Sequence, residues 1–368
     1  MIGSSSMSFF HNISKNNDEL SFIISNVHTS IVNSVRRILL SEIETYAFNE
    51  INIIKNTSIL HDEFIKHRIS LIPLNCDDNI EIELKVQNND PDILDVTSND
   101  IKIVQESMIN DRRAEEQTTL GLPFVRDILL IRLKNGEELS FTAKTKLDIG
   151  QTHAKYQPVS IVAFKILKSV IHLNEKFLGY MDKIPSTMEL ENSNIIGFLD
   201  ITDHSLDYNS EGDIEDFYFK KNLVYKFKME SLCQHPEDLF LKALLKLKSK
   251  LKNILQKKNY NIVENVHIKD CINVTLSNEK YTIGNILEYS LNLHENVDFI
   301  YYKSGHPFDD FIKLSVKLKK SEDDFINCLI DSIGYLIRII DEMIENWIKI
   351  FPDIKITQEQ EEIDFLNS

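Results

Sequence analysis

At 368 residues the chain is long enough for two or three domains with their own cores, and 42% apolar with 27% charged residues is ordinary for a soluble protein. A formal net charge of -16 argues against a free-standing nucleic-acid binder. No run reaches the ~18 apolar residues of a membrane span, and Met1 to Phe10 lacks the apolar core of a signal peptide. Cys76, Cys233, Cys271 and Cys328 lie far apart without a CxxC pair, which points to a reducing compartment and a soluble intracellular protein.

In chain order, residues 1–7 are small and polar, and Met7 is itself a candidate start. Residues 9–13 and 20–25 flank Lys15-Asn16-Asn17-Asp18, a hairpin pattern. A helix over 28–42 carries Ile31, Val35, Ile38 and Leu39 on one face and turns Arg36 and Arg37 away from it. Paired arginines are most often a solvated face; in an acidic chain they also suit a partner's carboxylates. Residues 46–56 alternate as a strand, and 61–70 read as a short helix stopped by Pro73. Strand-like runs follow at 80–86, 101–104, 128–133 and 139–145, with Asn135-Gly136 as a hairpin turn and 105–119 as a polar surface loop. Residues 174–216 are irregular and acidic, and 223–230 form a strand.

Two long helices then share one pattern. Over 236–256, Phe240, Leu244, Leu247, Leu251 and Ile254 step by four and three, after Pro236 at a first helical position. Lys242, Lys246, Lys248, Lys250 and Lys252 form the opposite face, read as solvated. Over 321–351, Ile326, Ile330, Ile333, Ile337, Ile340, Ile344, Trp347 and Phe351 repeat the same steps, with Leu329, Leu336 and Met343 widening the stripe. Ser321 and Asp324 resemble a capping box. An aliphatic stripe is usually only core, but two matching ones predict a single intramolecular helix seam. Between them lie a polar linker near 257–260, strands at 262–268 and 271–276, a helix to 292, a strand at 299–303, the turn Gly305-His306-Pro307-Phe308 and a strand at 311–318. Residues 358–364 make an acidic tail.

The stretch Ser30-Ile31-Val32-Asn33-Ser34-Val35-Arg36-Arg37-Ile38-Leu39-Leu40, followed by His61-Asp62-Glu63-Phe64-Ile65-Lys66-His67-Arg68-Ile69-Ser70-Leu71-Ile72-Pro73-Leu74, closely resembles the signature of the alpha-like assembly subunits of multisubunit RNA polymerases. These include the third-largest subunit of eukaryotic polymerase II, the archaeal D subunit and the amino-terminal domain of bacterial alpha. Gly150-Gln151-Thr152-His153-Ala154-Lys155-Tyr156-Gln157-Pro158 resembles the family's HAKW-P motif, with Tyr156 at the aromatic position. Tyr281-Thr282-Ile283-Gly284-Asn285 and Tyr301-Tyr302-Lys303-Ser304-Gly305-His306-Pro307 resemble the eleventh subunit of polymerase II and the archaeal L subunit.

The resemblance implies two alpha-like subunits fused end to end, as in large DNA viruses that replicate in eukaryotic cytoplasm. Such an origin would place the chain in the host cytoplasm and in the particle. The implied fold is α+β: a first dimerisation domain at 8–57 and 165–256, an inserted mostly-β domain at 58–164, a linker at 257–261, a second dimerisation domain at 262–351 and a tail at 352–368. The implied role is a non-catalytic scaffold. It docks the second-largest and then the largest polymerase subunit, meets small subunits of the tenth- and twelfth-subunit kind, and needs no homodimer, no membrane and no tight DNA contact. Arg36, Arg37, Glu63, Arg68 and His153 are the expected partner contacts. The family's cysteine-rich zinc loop is missing, because Cys76 stands alone in that region, so no metal or cofactor is expected.

No catalytic pattern competes. His61 and His67 are wrongly spaced for HExxH, His153 has no triad-like partners, and Gly284 and Gly305 are too isolated for a phosphate loop. The rival reading is a free-standing adaptor that uses the same dimer fold to recruit another protein.

Overall fold

The computed structural model describes residues 9–76, 78–104, 127–170, 197–199, 223–256, 260–264, 271–277, 279, 281–304, 306, 311–319, 324–352 and 354. The expectations for 1–7, 105–119, 257–259, Ser321 and 358–364 lie outside them. So do those for 174–216 apart from 197–199, for 265–268, and for the turn at 305–308 apart from His306.

The chain begins with β1 (Phe10–Asn16), β2 (Glu19–Ser25), α1 (Thr29–Ser41), β3 (Glu44–Asn56) and α2 (Asp62–Ser70). Short strands follow: β4 (Glu81–Gln87), β5 (Leu94–Thr97), β6 (Lys102–Val104) and β7 (Leu129–Leu133). Next come β8 (Glu138–Ile149), β9 (Val159–Val170), β10 (Gly197–Leu199), β11 (Leu223–Ser231) and α3 (Pro236–Gln256). The last part holds β12 (Tyr260–Glu264), β13 (Cys271–Ser277), α4 (Tyr281–Asn292), β14 (Val297–Ser304), β15 (Phe311–Leu318) and α5 (Asp324–Ile350). Two compact units result, one from 1–36, 162–229 and 244–368, the other from 37–161 and 230–243.

The first unit holds a sheet ordered β1-β2-β11-β9-β10 and an antiparallel sheet ordered β12-β13-β15-β14. The β1–β2 turn uses Asn17 at φ 45°, a left-handed conformation that asparagine tolerates because its side chain bonds locally. Alternation along β2 sends Leu20, Phe22 and Ile24 into the core. There they meet the end of α5. Trp347 is fully buried, with its ring centroid 4.8 Å from Phe10 and 5.0 Å from Phe22, and Phe22 stacks on Phe227 of β11 at 5.3 Å. Burying each such ring contributes roughly 1.5–3 kcal/mol gross. The early strands and the last helix thus share one core. Further contacts join the same parts: Ser34 Oγ donates to the Thr282 carbonyl at 3.4 Å, and the His28 ring stacks on Tyr289 at 3.6 Å.

All five residues expected to form the α3 seam, Phe240, Leu244, Leu247, Leu251 and Ile254, are buried. The α5 stripe needs correcting. Ile333, Ile340 and Ile344 are buried, but Ile326 and Ile330 are 43% and 46% exposed and Ile337 is half-buried. The inward face is centred on Leu329, Leu336 and Met343, with Phe325 and Cys328 beside them. Because the apolar arc of α5 is wide, periodicity could not say which edge of it faces inward. The lysines of α3 also differ from a solvated face. Lys248 meets Asp341 of α5 at 2.6 Å, Lys250 meets Glu279 at 3.4 Å, and Lys242 donates to Gln234 at 2.9 Å.

The second unit is built on an antiparallel sheet ordered β3-β8-β4-β6, with the pair β5-β7 beside it. Ile65 and Ile69 of α2 pack into its core with Phe48, Leu84 and Phe141. β3 pairs with β8 along its length, so 44–56 lie in this sheet. β9 runs unbroken through the boundary expected at 164. Asn135-Gly136 does turn, with Gly136 at φ 82°. It joins β7 of one sheet to β8 of another and closes no hairpin ladder. A turn signal fixes backbone direction locally, but which strands then pair is decided by distant residues.

Candidate partner-docking surface

Three of the five residues expected to meet partners lie on or beside α1. Arg36 is half-buried and donates from Nε and Nη2 to Asn33 Oδ1, at 3.1 and 3.0 Å, which holds its guanidinium along the helix. Arg37 is half-buried one position on, and its carbonyl accepts from Ser41 Oγ at 2.8 Å. The motif around His153 packs on the end of the same helix: the Gln151 N–H reaches the Ser41 carbonyl at 2.9 Å. Gly150 is required there, since a Cβ would come within 2.5 Å of the Leu40 carbonyl oxygen. Arg37 and the 150–157 turn are therefore brought into one neighbourhood through four residues of helix.

His153 is exposed. Its Nδ1 accepts from the Lys155 N–H at 3.1 Å and caps the 3-10 turn Ala154–Tyr156. Lys155 then reaches back to the Phe48 carbonyl at 2.9 Å and to Asn49 Oδ1 at 3.0 Å, with its ammonium 5.0 Å from the Tyr156 ring centre. Burial, aided by the charge of Lys146, lowers the Lys155 pKa, while burial raises that of the Tyr156 phenol. Asp148 closes the turn from its other end. Held by Lys146, the Ile149 N–H and the Thr152 hydroxyl, its carboxyl falls to about 2. The result is a turn clamped to β3 through Lys155. Asn49, which receives Lys155, carried no signal in the sequence; only the fold brings it there.

Glu63 and Arg68 sit on α2. Glu63 is exposed in the first turn, where the helix dipole favours it. Arg68 in the last turn donates to the carbonyls of Leu129 and Leu130, at 2.7 and 3.1 Å, so it ties α2 to β7. Its guanidinium is committed within the fold. Of the apolar residues near Glu63 in sequence, Ile59 is 77% exposed and Phe64 63%. The sequence held a clue in Phe64, because Ile65 and Ile69 already account for the inward face of so short a helix.

Among the described residues no three His, Cys, Asp or Glu side chains converge on a point that could hold a metal ion. Cys271 and Cys328 are buried, and burial pushes the Cys233 thiol up to about 11, away from the thiolate that zinc requires. Among the described residues no helix is long and apolar enough to cross a membrane.

The chain packs β1, β2 and β11 against the end of α5 in one core. It belongs to the RNA polymerase Rpb3/Rpb11 dimerisation domain family, whose model matches residues 21–251. A second model of the same description matches residues 271–346. Among similar proteins are the DNA-directed RNA polymerase II subunit rpb3 of Dictyostelium discoideum, 29% identical over 43% of this chain and 57% of that one. The DNA-directed RNA polymerase subunit Rpo3 of Pyrococcus horikoshii is 30% identical over 46% of this chain and 62% of its own. A conjugation stage-specific protein of Tetrahymena thermophila is 32% identical over 41% and 56%. The chain spans between 56% and 62% of the lengths of these three relatives.

Proposed function

We propose that this chain is a non-catalytic assembly subunit of a DNA-directed RNA polymerase, in which two alpha-like segments pair as an intramolecular heterodimer. One observation carries the reading. Segments 21–251 and 271–346 each match a dimerisation-domain model, and residues from both meet: the His28 ring stacks on Tyr289, and Ser34 Oγ donates to the Thr282 carbonyl. Fusion raises the effective concentration of one half for the other to about the millimolar range. In this reading the mostly-β insertion, expected at 58–164, takes in β4 to β8.

In this reading the block docks the second-largest polymerase subunit first, then the largest, and meets small subunits of the tenth- and twelfth-subunit kind. Arg36, Arg37 and Glu63, with the exposed apolar residues beside Glu63, make the contacts, while Arg68 and His153 hold the surface in shape. The chain works without zinc, since Cys76 has no neighbouring thiols in sequence to complete a site. An origin in a large cytoplasmic DNA virus, with the chain in the viral factory and the particle, accords with the fusion.

The test is co-purification from cells that make the complex. Tagged wild-type chain should bring down both large subunits in stoichiometric yield, and native mass spectrometry should give the composition. Arg36→Glu with Arg37→Glu should abolish recovery of the second-largest subunit while the purified variant stays folded. Unchanged recovery refutes the arginine assignment. Stoichiometric recovery of some other protein, without polymerase subunits, favours a free-standing adaptor.

A further inference from the structure

One face of the sheet β12-β13-β15-β14 is covered by α4, where Tyr302 lies against Gly284 so closely that a Cβ there would come within 2.8 Å of the ring. Ile300, Leu314 and Val316 are buried. Alternation sends the residues between them to the opposite face. There the edge strand β14 shows Phe299, 55% exposed, and Tyr301, 40% exposed, with ring centroids 5.8 Å apart. The register sets Lys317 beside Phe299, Ser315 beside Tyr301 and Lys313 beside Lys303. Lys303 and Lys313 are exposed, while Lys317 is engaged by Asp298 at 2.6 Å.

Two exposed rings on one strand, bordered by ammonium groups on the same sheet face, match the chemistry of a stacked single strand. Every base has a π-face for the rings, and the lysines offer positive charge to phosphates. We propose that this sheet face binds single-stranded RNA, with Phe299 and Tyr301 stacking successive bases and Lys303 and Lys313 meeting phosphates. The choice of RNA over DNA rests on the polymerase reading above. The acidic remainder of the chain opposes long-range attraction, so binding is weak and confined to low salt.

The experiment titrates purified full-length chain into a labelled oligouridylate of about 12 nucleotides, with the matching oligothymidylate and a duplex DNA as further arms, at about 50 mM salt. Saturable binding of the RNA is expected, weaker binding of the deoxy strand, and none of the duplex. Phe299→Ala and Tyr301→Ala should each weaken RNA binding about tenfold, and Tyr301→Phe should leave it intact. Lys303→Glu with Lys313→Glu should abolish it, and this pair still reports on the face if removing a ring harms folding. Absence of saturable RNA binding, or alanine variants that bind like wild type, overturns the proposal. Equal affinity for the deoxy strand overturns the assignment to RNA. Cross-linking that puts another protein over Phe299 in the assembled polymerase overturns it in favour of a protein contact. Assembly is read separately by recovery of the large subunits, so failure of one reading does not hide the other.

Discussion

The ring of Phe10 meets the indole of Trp347 edge-on, with 4.8 Å between centroids and 71° between planes. This contact joins the first strand of the chain to its last helix, in a core that also takes in Phe22 and Phe351. Edge-to-face pairs of this kind add about 0.5–1.5 kcal/mol to the area they bury.

Trp347→Ala should therefore cost about 3–5 kcal/mol, the range for removing a fully buried aromatic, while Trp347→Phe keeps a ring in place and costs less. Urea unfolding followed by far-UV circular dichroism measures both. Equal stability of Trp347→Ala and wild type would mean that the two halves do not depend on this core.

The ion pair between Lys248 and Asp341 ties α3 to α5, with the lysine 12% exposed and the aspartate 40%. So open a carboxylate is partly screened by solvent, and the coupling should be about 0.5–1 kcal/mol. A double-mutant cycle with Lys248→Ala and Asp341→Ala isolates it, and raising salt to about 1 M should shrink it. A coupling of zero at low salt would reduce the pair to a passive contact.

His28 gives the fold a pH dependence of known sign. Its Nδ1 accepts from the Ser30 N–H at 3.2 Å, its ring lies flat on Tyr289, and burial holds its pKa below the ordinary 6.5. Tyr289, pushed up to about 12 chiefly by burial, stays neutral throughout. The folded chain thus binds this proton less readily than the unfolded chain. Stability from His28 is complete above 6.5 and is lost as the pH falls through the depressed folded value. The melting temperature should fall as the pH drops below about 6.5, less steeply in His28→Asn, which keeps a capping acceptor without the titration. Parallel curves for the two proteins would assign the pH dependence elsewhere.

Periodicity and turn chemistry located most of the described elements, α3 and β15 to the residue. The motif at 150–158 is legible as text because its constraints are local: Gly150 for close approach, His153 as a cap, and Tyr156 as a buried ring. What the motif packs against was not legible, because Asn49 and Ser41 reach it only through the folding of β3 and α1.

The sequence alone determined that two helices carry apolar stripes, that Asn17 and Gly136 turn the chain, and that no catalytic spacing is present. Those properties depend on residues within a turn or two of one another, where geometry is set by the backbone itself. Tertiary structure decided which edge of the α5 stripe is buried, leaving Ile326 and Ile330 outside and Leu336 and Met343 within. It also decided that Lys248 and Lys250 of α3 meet carboxylates, and that β3 pairs with β8. Each of these is a choice among locally equivalent arrangements, and only partners far away along the chain remove the degeneracy.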